Sequence, residues 1–82
     1  MTVSAQIAVY PLRQERLTPS IEAVRQALRA HGLQPASGPM SSYAAGEDEA
    51  VFAALRDAFA QASSLGRVVL TVTVSNACPI PD

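Results

Sequence analysis

Residues 34–46, QPASGPMSSYAAG, decide the fold, because they form the one long irregular interruption in a chain that otherwise reads as two similar halves. Gly38 and Pro39 stand side by side and punctuate the segment, so a turn falls at Ser37-Gly38-Pro39. A short strand is expected before it, over 33–36, and a second after it, over 40–45. Each half of the chain then adds one strand and one helix outside this centre.

In the N-terminal half, residues 3–12 alternate. Val3, Ala5, Ile7 and Val9 share one face, and Ser4, Gln6, Ala8 and Tyr10 share the other, the pattern of a half-buried strand. Pro11 has no N–H for a ladder bond, so pairing fades there. The polar run Arg13-Gln14-Glu15-Arg16 reads as a solvated loop. Thr18-Pro19 starts a helix over 19–31, with Thr18 as its cap and Pro19 in its first turn. Ile21, Val24, Ala27 and Leu28 form the inner stripe, and Gly32 ends the helix so that Leu33 folds back on Leu28. His31 sits in the last turn, where a cation favours the helix dipole.

In the C-terminal half, Glu47, Asp48 and Glu49 crowd the start of a second helix, where negative charge meets the positive end of the dipole. The expected buried stripe is Val51, Phe52, Leu55, Ala58, Phe59 and Ala62, and Gly66 closes the helix. Residues 67–75 read as a strand, with Val68, Leu70, Val72 and Val74 toward the core and Val69, Thr71, Thr73 and Ser75 away from it. The last residues contain Pro79 and Pro81 and cannot continue a sheet interior.

The order β-α-β-β-α-β predicts an α+β, ferredoxin-like sandwich: one antiparallel sheet with both helices on the same face. A single domain over 1–82 is expected, with an ordered core over about 3–76 and a tail over 77–82. The uncovered face then carries small, mildly apolar and hydroxyl groups without charge, the character of a partner surface.

Composition narrows the functional classes. The 82 residues are 49% hydrophobic but 5% aromatic with no Trp, so the core is built from Ala, Val, Leu and Ile. Six arginines face seven acidic residues, for a formal charge of -1, and the basic residues are scattered. Electrostatic capture of nucleic acid or anionic lipid is disfavoured, and the sheet lacks the paired exposed aromatics of an RNA-binding sheet. The N-terminus has neither a basic leader nor a long apolar run, so a cytoplasmic protein is expected. Cys78 is the sole cysteine, which rules out an internal disulfide and a cysteine-based metal site.

No catalytic motif is present. There is no glycine-rich phosphate loop, no GxSxG and no His cluster at ligand spacing, and nothing brings Cys78 to His31. What stands out is neutral hydrogen-bonding chemistry at strand ends: Gln6, Tyr10, Ser41, Ser42, Tyr43, Ser75 and Asn76. Such groups read a neutral heterocycle or a hydroxymethyl group.

SAQIAVYPL at the start, GPMSSYAAG in the middle and VSNACP at the end resemble, in that order, the YkoF-like thiamine-binding family of small ferredoxin-like domains. The resemblance spans 3–79. It implies non-enzymatic binding of thiamine or a hydroxymethylpyrimidine-type precursor, in salvage, transport or sensing, with no cofactor. The positions that match the family's landmarks are the Tyr10-Pro11 pair, the Ser41-Ser42 pair and the tail from Ser75 to Pro79; together with the strand-end groups above, the expected ligand-binding set is Gln6, Tyr10, Ser41, Ser42, Tyr43 and Asn76. Some members join two such domains in one chain, so a homodimer or a dimer of dimers through the uncovered sheet face is expected here. Two-domain members carry a basic residue where this chain has Gln6. The competing readings are a homo-oligomeric structural or regulatory module without a ligand, and a small dimeric α+β-barrel-type enzyme using one His.

Overall fold

The computed structural model describes residues 1–12, 18–37 and 41–77. Six elements follow in the expected order: β1 (Thr2–Pro11), α1 (Thr18–Ala30), β2 (Ala36–Ser37), β3 (Ser41–Glu47), α2 (Asp48–Ser63) and β4 (Val68–Ser75). The strands form one antiparallel sheet in the order β2-β3-β1-β4, so the two halves of the chain interleave. This is the ferredoxin-like sandwich. The loop at 13–16, the Gly38-Pro39 turn and the tail with Cys78 lie outside the described residues.

Period-two alternation on β1 sets the layers. Val3, Ala5, Ile7 and Val9 are buried beneath the helices, while Gln6 and Tyr10 are exposed on the far side. On β4 the inward residues Val68, Leu70, Val72 and Val74 are half-buried and packed against the core. They remain partly open because β4 is an edge strand, beyond which no further strand extends the core.

Helix α1 ends as its sequence dictates. Gly32 takes φ +79°, Gly32 N–H donates to the Arg29 carbonyl at 3.0 Å, and Leu33 N–H donates to the Leu28 carbonyl at 3.0 Å. This pair of reversed bonds is the Schellman closure, which brings Leu33 into the core beside Leu28. It also shortens β2. Residues 33–36 were expected to be strand, but the closure captures Leu33 and Pro35 offers no N–H, so only Ala36 and Ser37 pair, with Tyr43 and Ser42.

Helix α2 departs from expectation. Its buried residues are Val51, Ala54, Ala58 and Ala62, whereas Phe52 and Phe59 are 56% and 49% exposed. Val51, Ala54, Ala58 and Ala62 recur at helical spacing and let the helix approach the layer closely. A Phe in that phase would hold the helix off, so both rings lie on the outer side. Glu47 also belongs to β3 rather than to the helix, and precedes it in an extended conformation, φ −65° and ψ 144°, with its side chain turned away from the helix end. Thr18 is already helical, one residue earlier than expected.

Leu33 meets the far end of β3. A Cβ on Gly46 would lie 2.6 Å from Leu33 Cδ2, so the buried Leu33 side chain would have to shift to admit it. Gly46→Ala should therefore destabilise the domain by about 1–3 kcal/mol through overpacking, read from urea unfolding. An unchanged midpoint would mean that Leu33 has another place to go.

Candidate functional site

Register determines which of the predicted site residues meet. On the open face, Ala36 lies beside Tyr43, Tyr43 beside Gln6, and Gln6 beside Thr73, one row across all the strands. The next row is Ser41, Ala8 and Thr71. Tyr10 pairs with Val69 toward one end of the sheet, and Ser4 pairs with Ser75 toward the other. Gln6, Ser41 and Tyr43 therefore share the centre of an uncharged surface, where Gln6 is exposed and Ser41 and Tyr43 are half-buried.

Ser42 does not join them. Successive strand residues point to opposite faces, so Ser42, opposite Ile7, turns inward and is 4% exposed. The expected Ser41-Ser42 pair is thus split between the two sides of the sheet. Asn76 is also apart. It follows β4 at the Ser4 end, where its side-chain amide lies 3.2 Å from Met1 Sδ. Tyr10 lies six residue steps along β1 from Ser4, a span of about 20 Å. Tyr10 and Asn76 of the same chain therefore lie toward opposite ends of the sheet.

Two further positions carry information. His31, expected only to face a helix dipole, places Nε2 2.5 Å from Asp57 Oδ2 and ties the end of α1 to α2. Ser20 was not anticipated at all. It is completely buried in α1, and its Oγ has no hydrogen-bond partner. The signal was present in the sequence, since Ser20 falls in helical phase with Val24, Ala27 and Leu28.

The rim of the open face carries charge at the Thr2 end of β1. Thr2 Oγ1 donates to Glu47 Oε2 at 3.0 Å, and the Met1 amino group lies 3.2 Å from Oε1. The Thr2 hydroxyl first, and the amino group second, hold the Glu47 carboxyl below its ordinary value. Any stability from this group is therefore present above the ordinary carboxylate range and lost as pH falls through the lowered value. Thr2→Val should move the Glu47 titration upward in a carboxyl-carbon NMR series. No movement would remove Thr2 as the main cause.

Among the described residues there is no group of three or more His, Cys, Asp or Glu placed to hold a metal ion. No described helix is long and apolar enough to cross a membrane.

Comparison with known proteins extends this picture. No curated protein matches the sequence. Among solved structures, a hypothetical protein of Methanocaldococcus jannascii superposes with TM-score 0.84 at 15% identity, over 98% of this chain and 84% of that one. A Streptococcus pneumoniae protein gives 0.82 at 22% identity, over 92% and 86%. A Thermotoga maritima protein, assigned provisionally to thiamine biosynthesis or salvage, gives 0.77 at 21% identity, over 90% and 82%. At these identities the likeness establishes the fold. The model of the YKOF-related family matches residues 2–81, nearly the full length over which the landmarks on β1, on β3 and after β4 are distributed, and the chain belongs to that family.

Proposed function

We propose that this chain binds an aminopyrimidine of the thiamine type, thiamine itself or its hydroxymethylpyrimidine half, without catalysing a reaction, in salvage, transport or sensing. The observation that supports this is the neutral hydrogen-bonding set of Gln6, Ser41 and Tyr43 on the open face of β1 and β3, with Ser42 on the inner side of the same strand, in a member of the YKOF-related family. The structural likeness to the Thermotoga protein points the same way. Hydroxyl and amide groups both donate and accept, which suits a ring bearing acceptor nitrogens and an exocyclic amino group. Calorimetry with hydroxymethylpyrimidine or thiamine should give saturable, stoichiometric binding. Ser41→Ala combined with Ser42→Ala should weaken it by roughly tenfold or more, a loss of about 1.4 kcal/mol. The single variants apportion that loss between the outward and the inward hydroxyl. Absence of both heat and thermal shift across thiamine-related compounds would end the proposal.

The open sheet face supports a second copy of the chain as partner, as a homodimer or a dimer of dimers. From Ser4 to Tyr10 on β1, and across Val69, Thr71 and Thr73 on β4, it bears no charge. Such a face against its twin desolvates no ion. Thr71→Arg would place charges at the middle of that contact and should yield monomers in sedimentation equilibrium. A wild-type protein already monomeric at micromolar concentration would rule the arrangement out.

A further inference from the structure

Among the described residues β4 is an edge strand, and it lacks the protection that edges ordinarily carry. Val68–Ser75 runs for eight residues without a charge, a proline or a glycine, whereas the opposite edge, β2, is two residues long. A long, uncharged and mostly β-branched edge is a template on which another strand can pair. On its helix side, Val68, Leu70, Val72 and Val74 pack against the core yet stay partly open.

Helix α2 adds an apolar flank above that edge. Asp57 turns toward α1, where it meets His31. Leu55 and Phe59 each stand two positions from Asp57, about 200° round the helix, so together with Phe52 they occupy the flank away from α1. α1 links β1 to β2 past β3 and so lies toward the β2 side, while α2 also packs on β4. The flank away from α1 is therefore the β4 side. There Phe52 and Phe59 are more than half and nearly half exposed, and Leu55 is half-buried.

The surface that fits this side is the same side of a second copy. Turned about a twofold axis at Thr71, β4 pairs antiparallel with itself. Leu70 then stands opposite the partner's Val72, and Val68 opposite the partner's Val74, so apolar residues meet apolar residues on the helix side. Charge is matched as well. α2 starts at the Ser75 end of β4, because Glu47 lies opposite Thr2 and Ser75 opposite Ser4. The axis carries that acidic start, Asp48 and Glu49, toward the partner's Arg67, which precedes β4 at its other end. A foreign strand would pair the edge but bring no second α2 flank to cover the rings.

We infer that two copies of this chain join through their β4 edges, uniting two four-stranded sheets into one, with Phe52 and Phe59 of both α2 helices closing over the seam. The contact is independent of the ligand reading. It leaves the open sheet face clear, so two such paired sheets stack face to face as a dimer of dimers.

The test combines sedimentation equilibrium with amide hydrogen exchange followed by NMR, on the full chain as wild type and as Phe52→Glu with Phe59→Glu. Thr71→Arg does not separate the two contacts, since it opposes like charges at the twofold axis as well as on the open face. Both rings are exposed, so the double variant should fold, and its assembly should have half the wild-type mass. In wild type the β4 amides that point away from β1 should exchange roughly tenfold or more slowly than in the double variant. Fast exchange at those alternate amides in wild type overturns the edge pairing, even where open-face dimers are present, and this readout stands if the variant fails to fold. A double variant that keeps both the wild-type mass and the protection overturns the part given to the two rings. A monomeric wild type overturns the proposal outright and leaves the edge to a strand of another protein.

Discussion

The fold depends on one close approach, Leu33 over Gly46. The reversed bonds at Gly32 turn the chain back so that Leu33 enters the core next to Leu28. It arrives where β3 has no side chain, at Gly46, which pairs with Val3. The end of α1, the end of β3 and the start of β1 are thereby locked together.

Around that contact the core is thin and built from small side chains. Ala27, Ala54, Ala58 and Ala62 are fully buried, whereas the larger Phe52 and Phe59 lie outside. Alanine lets helices and sheet approach closely, but each residue removes little apolar area from water. Stability then leans on fit and on local closures, among them the Schellman turn and the His31–Asp57 contact between the helices. An uncharged open face on a domain with so little core is consistent with further burial against a second copy.

The family was legible before the fold was seen, since its landmarks are short stretches whose order survives in the linear chain. The arrangement of the candidate site was not. Ser41 and Ser42 look like a pair in sequence and face opposite ways in space, and Tyr10 and Asn76 look like neighbours in role but stand at opposite ends of the sheet. Adjacent letters share a face in neither strand nor helix, so a motif names chemistry without saying where it points.

By itself the sequence determined the order of strands and helices, the closure at Gly32, the inward set on β1 and the absence of charge on the opposite set. These follow from short-range physics: period, turn chemistry and the conformational freedom of glycine. Only the tertiary structure decided the rest. It put Ala rather than Phe on the buried side of α2, because two phases of that helix are apolar and packing distance selects between them. It separated Ser42 from Ser41 by register with Ile7, and it set Ser20, an unremarked helix residue, without a partner inside the layer. Burial and hydrogen-bond satisfaction depend on what the whole chain brings alongside a residue, and no local stretch contains that information.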